Sequence, residues 1–69
     1  MGDHVYKLIE LTGSSNISSD DAIRNAITKA SETINNVYWF QVIETRGSIR
    51  DGQVSDWQVT VKVGFRLNE

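Results

Sequence analysis

Asp51-Gly52, set between two long segments that alternate apolar and polar residues, constrains this chain more than any other feature. A two-residue hairpin turn of type I′ needs positive φ at both central positions, which Gly adopts freely and Asp tolerates. With Asp51 and Gly52 as the turn, Arg50 faces Gln53, and each earlier residue acquires a partner. Phe40 is expected opposite Val63, Val42 opposite Val61, and Glu44 opposite Val59. On the other face Trp39 is expected opposite Gly64, Gln41 opposite Lys62, Ile43 opposite Thr60, and Thr45 opposite Gln58. One face is aliphatic and aromatic. The other is mostly polar but carries an indole beside a residue with no side chain, a place where a planar ligand or another subunit can lie.

The segments around the hairpin complete a β-α-β-β order, an α+β fold class with one helix against a three-stranded sheet. His4 to Leu11 reads as a strand with apolar residues on both faces. Thr12-Gly13-Ser14-Ser15-Asn16 has the composition of a loop. Ser18 or Ser19 can cap a helix, and Asp20 and Asp21 suit the positive end of its dipole. Ile23, Ala26, Ile27, Ala30, Ile34 and Val37 recur at helical spacing, and Asn35-Asn36 is the expected helix end. The third segment runs from Val37 to about Ile49, with Gly47 as a bulge or bend. The fourth runs from Val54 to Leu67, with apolar odd positions from Trp57 to Leu67 and Trp57 assigned to the core. One helix covers one face of such a sheet, so the other face is wet or shared.

Sixty-nine residues form one domain, residues 1–69. A chain this short buries only roughly 60% of its unfolded surface, and small domains lean on disulfides, metals or self-association. With no Cys and one His, self-association is the remaining route. The net charge of −2, dispersed along the chain, argues against nucleic acid as a partner. No apolar run reaches membrane-span length, so no membrane partner is expected. Met1-Gly2 lacks the Ser or Thr of a myristoylation signal, since Tyr6 stands there, and the sequon Asn16-Ile17-Ser18 reads as a loop triplet. A soluble cytoplasmic protein is the simplest account.

Trp39, Gln58 and Arg66 belong to the shared face by alternation. Indole offers a flat surface for stacking, and Gln joins a donor to an acceptor on one planar amide that suits the edge of a heterocycle. Arg66 can hold a carbonyl or phosphate through its guanidinium fork. Arg46 falls on the opposite face of an unbroken strand, and a bulge near Gly47 would re-aim it. Each residue also has a plainer reading. Trp39 can be an interface anchor, Gln58 a solvated strand residue, and Arg46 and Arg66 ion-pair partners of Glu44, Glu69 or a neighbouring chain. His4 reads as exposed. No nucleophile, base and orienting group come together, and Thr12-Gly13-Ser14-Ser15 is no phosphate loop, so the chain is not expected to be an enzyme.

Taken together and in order, the residues carry a resemblance. Val5-Tyr6-Lys7, Ile9-Glu10-Leu11-Thr12-Gly13-Ser14-Ser15, Asp21-Ala22-Ile23, Val37-Tyr38-Trp39-Phe40, Glu44-Thr45-Arg46-Gly47, Asp51-Gly52 and Gln58 through Leu67 resemble the dodecins, small flavin-binding proteins. The resemblance implies a β-α-β-β subunit whose three-stranded antiparallel sheet is wrapped on one helix, and twelve such subunits in a hollow sphere of cubic symmetry, a homododecamer. It implies flavins bound in pairs near two-fold axes, stacked between Trp39 side chains of related subunits. Gln58 would bond the pyrimidine edge of the ring, with Arg46 and Arg66 beside the flavin. The expected cofactor is flavin mononucleotide (FMN), with riboflavin or FAD as further candidates and coenzyme A as a second ligand that no residue here can be assigned to.

One position departs from the bacterial pattern. Gln41 stands in Trp39-Phe40-Gln41-Val42 where bacterial dodecins commonly carry Glu. The change removes a negative charge two residues from the stacking Trp39, on the same face. Flavin binding is expected to survive it, with assembly stability or its pH dependence altered. The functional expectation is a flavin store or buffer whose indole quenches the excited ring. The competing expectation is a structural interaction module in which Trp39 anchors the interface and no flavin is bound.

Overall fold

The computed structural model describes residues 3–67, so the expectations resting on Met1-Gly2 and on Glu69 lie outside the described residues. Four elements follow one another: β1 (Tyr6–Ser15), α1 (Ser19–Thr33), β2 (Val37–Arg50) and β3 (Gln53–Arg66). The strands form one antiparallel sheet in the order β1-β3-β2, with the last strand in the middle. The β-α-β-β order and the single helix against a three-stranded sheet are those read from the sequence. Among the described residues no helix is long and apolar enough to cross a membrane.

The turn is as expected. Asp51 has φ of 53° and Gly52 of 76°, both left-handed, and Arg50 pairs with Gln53. Ser18 is the helix cap, with extended backbone and a hydroxyl that accepts from the Asp21 amide at 3.0 Å. The Asp21 carboxylate in turn accepts from Ser15 Oγ at 2.7 Å, and Ser15 Oγ accepts from the Ile17 amide at 2.9 Å. These bonds tie the end of β1 to the start of the helix.

Three sequence expectations shift. The Thr12-to-Asn16 segment is not all loop, because β1 continues to Ser15. Gly13 is the reason it can. A Cβ there would stand 3.0 Å from the Ala26 amide nitrogen and overlap the Ala22 carbonyl oxygen, so only a bare backbone passes under the helix. The helix stripe stops at Thr33. Ile34 is its extended C-cap, Asn36 turns the chain at φ 65°, and Val37 already belongs to β2. Trp57 sits half-buried on the helix side, outside the buried cluster rather than within it.

That cluster is small. Val59, Val61 and Val63 of β3 are fully buried beneath Ala22 and Ala26, with Ile9, Leu11, Ile23, Ile27 and Val37 packed around them. Each valine contributes about 1.5–3 kcal/mol by burial, and the alanines let the helix lie close. The helix packs on β1 and β3. It leaves the same face of β2 open, so Phe40 and Val42 are 48% and 42% exposed on the side that the sequence marks as apolar.

Candidate functional site

The face of the sheet away from the helix carries the candidate residues in rows set by the pairing. Leu8, Gly64 and Trp39 form one row, and Glu10, Lys62 and Gln41 the next. Thr12, Thr60 and Glu44 form the third, and Ser14, Gln58 and Arg46 the fourth. The first two rows match the register expected from the turn. The last two do not. Glu44 pairs with Thr60 rather than Val59, and Thr45 with Val59 rather than Gln58, because the register shifts between Val42 and Glu44. Ile43 is the extra residue of a β-bulge, so it does not face Thr60.

This bulge answers the question of Arg46. One unpaired residue reverses which side each later residue faces. Glu44 and Arg46 therefore leave the helix side and join Gln58 on the open face. The sequence points to an irregularity near Gly47. It lies four residues earlier, and a second one falls between Ser48 and Ile49. There the Asp56 carboxylate accepts from the Ser48 amide at 3.1 Å, and Ser55 Oγ donates to the Ser48 carbonyl at 3.2 Å.

Arg46 Nε donates to Gln58 Oε1 at 3.1 Å, and one terminal nitrogen of Arg46 lies 3.8 Å from the Glu44 carboxylate. The plain reading of Arg46 as an ion-pair partner of Glu44 holds in its geometry. Glu44 is the site residue that alternation alone misses, since an uninterrupted strand places it on the helix side opposite Val59.

Trp39 occupies the other end of the face. Its indole lies across Gly64, so a Cβ on Gly64 would fall within 2.8 Å of indole Cδ2 and nearer still to Cε2 and Cζ2. The indole remains 42% exposed. Another register shift makes Tyr38 an extra residue between Val37 and Trp39. The Tyr38 ring stands 6.4 Å from that of Tyr6 and 5.1 Å beneath the guanidinium of Arg66. Arg66 also reaches Nε2 of His4 at 3.3 Å. Arg66 thus lies on the open face at the Trp39 end, as alternation predicts. Gln41 lies between the two ends, opposite Lys62.

The structure therefore joins Arg46 to Gln58 and sets Arg66 near Trp39, but it keeps the two groups apart. Gln58 and Gly64 are six residues apart on one strand, about 20 Å at strand rise. One tricyclic ring cannot touch Trp39 and Gln58 of the same subunit. No group of three His, Asp or Glu residues suited to a metal ion occurs among the described residues.

Comparison with known proteins places this geometry. The dodecin family profile matches residues 5–68. The dodecin of Thermus thermophilus is 43% identical over 65 residues, 94% of each chain. The structure of dodecin from Streptomyces coelicolor superposes with a TM-score of 0.93 at 49% identity, covering 100% of this chain and 99% of that one. Dodecin from Streptomyces davaonensis gives 0.92 at 50% identity, covering 99% and 100%. The match spans the hairpin, the helix and every candidate residue, and the chain belongs to the dodecin family.

Proposed function

We propose that this protein binds flavin without catalysing a reaction on it, holding FMN, and by the same chemistry riboflavin or FAD, in a cytoplasmic homododecamer. The observation that carries the reading is the open sheet face itself. It presents an exposed indole lying across a glycine at one end and a guanidinium-bonded Gln58 amide at the other, too far apart for one ring. Two copies of the chain, facing each other, bring the Trp39 of one toward the Gln58 of the other. Trp39 then stacks on the isoalloxazine face, Gln58 reads its pyrimidine edge, and Arg46 and Arg66 supply positive charge beside it. Gln41 borders the ring pocket without charge. Coenzyme A is a further candidate ligand for which the chain designates no residue.

Self-association has its own support. β2 exposes apolar side chains on both sides, Phe40 and Val42 toward the helix side and Trp39 on the other. Surface of this kind on a short chain marks a contact between molecules. The same observation favours the second reading, in which the assembly is the function and Trp39 is an anchor within it.

The test is a titration of FMN into purified protein, read by flavin emission, with particle mass measured in parallel. The proposal expects saturable quenching, one flavin per chain, and a particle about twelve times the chain mass. Indole in contact with the ring can donate an electron to the excited flavin, which is the basis of a photoprotective role. Flavin that binds and stays bright counts against that role. Flavin that does not bind leaves the interaction module.

A further inference from the structure

We propose that Glu44 is a positioning residue for the ligand, acting through Arg46 to fix which way the Gln58 amide faces. The proposal rests on the flavin-binding reading and deepens it. A Gln amide has an oxygen and a nitrogen of nearly equal shape, so an unrestrained one takes either orientation. A guanidinium carries only donors. Arg46 Nε therefore engages Oε1 of Gln58, at 3.1 Å, and not its nitrogen. Held from the β2 side, the amide offers its two N–H donors outward and keeps one lone pair on Oε1. That arrangement suits a cyclic imide edge, where a ring N–H meets the remaining lone pair and the adjacent carbonyl accepts from Nε2.

Glu44 sets the guanidinium that sets the amide. Its carboxylate lies 3.8 Å from a terminal nitrogen of Arg46, and both side chains are more than half exposed, at 52% and 67%. A pair so exposed adds little to stability. Its consequence is the direction in which the fork points. The hydroxyl opposite Glu44, that of Thr60, is bonded to Thr12 Oγ1 at 2.8 Å. The carboxylate faces the guanidinium instead. The bulge at Ile43 brings all three groups to one face, since without it Glu44 and Arg46 point to the helix side of the sheet, away from Gln58.

The experiment compares the parent protein with Glu44→Gln and Arg46→Lys, using lumiflavin and its N3-methyl derivative as probes. The methyl group removes the imide N–H and leaves the stacking surface. Glu44→Gln is expected to weaken lumiflavin about three- to tenfold and to leave the methylated probe unchanged. Arg46→Lys is expected to act alike, because an ammonium does not reproduce the fork. Equal losses for both probes, or no loss for either, overturn the proposal. Isotope-edited NMR of ligand-free protein supplies a second arm. The Gln58 side-chain amide signals are expected to move in both variants, and unmoved signals overturn the proposal. A parent protein that binds neither probe refutes the flavin reading, and the ligand-free arm then decides the positioning role by itself.

Discussion

The indole of Trp39 fills the space above Gly64 that any side chain there would need. The two residues face each other across β2 and β3, and the pairing matches a flat aromatic to an absent Cβ. Gly64→Ala is expected to lift the indole from the sheet. Near-ultraviolet circular dichroism of the ligand-free protein should change, and FMN affinity should fall about tenfold or more. Far-ultraviolet dichroism should remain that of the parent, since the backbone at 64 is ordinary strand.

Trp39→Ala separates the two functional readings. As a stacking platform, Trp39 contributes its buried area and about 0.5–1.5 kcal/mol beyond it. Flavin affinity should then drop about a hundredfold while the particle keeps its size in sedimentation. As an interface anchor, its removal should break the particle whether or not flavin is present.

Gln41→Glu places a carboxylate opposite Lys62 and in the row that also holds Glu10. An ordinary Glu titrates at about 4.3. A carboxylate that gains stability from Lys62 has its folded-state value held below that, so the stabilisation is fully present above the ordinary value and is lost as the pH falls below it. The variant should disassemble at a higher temperature than the parent near neutrality and converge with it in acid. FMN affinity should stay within about threefold. Identical disassembly profiles at every pH would mean that position 41 makes no charged contact in the assembly.

Gly13→Ala tests the close crossing of β1 and the helix. A Cβ at 13 meets backbone atoms at Ala22 and Ala26, which cannot rotate away. The helix must shift, at a cost of about 1–3 kcal/mol. A lower urea midpoint with an unchanged slope is the expected result.

The turn, the helix start and the first rows of the hairpin were legible because each has a strong local cause. Asp51-Gly52 permits few backbones, Ser18 has a free amide to cap, and Phe40 and Val42 alternate in step with Val61 and Val63. The bulge at Ile43 was not legible from that residue, a β-branched side chain at home in any strand. A signal was present in the phase of the pattern. Glu44, Arg46 and Ser48 are polar at one parity, while the polar Gln41 stands at the other. A phase slip lies between them, ahead of Gly47. The length of β1 was hidden for a similar reason. Gly13 and its serine neighbours have loop composition, yet the glycine is there to let a helix approach, which becomes visible only when the helix is in place.

The irregularities at Ile43 and Ser55 are opposite in sense. One adds a residue to β2, the other adds a residue to β3, and between them they return the hairpin to the alignment dictated by its turn. Residues 44–48 thus form a rotated panel in the ribbon, turned over as a unit while the rows from Trp39 to Val42 and the tip keep the register of the turn. The aromatic half and the polar half of this face can vary separately, because the hinge between them is a count of residues and not a shared contact.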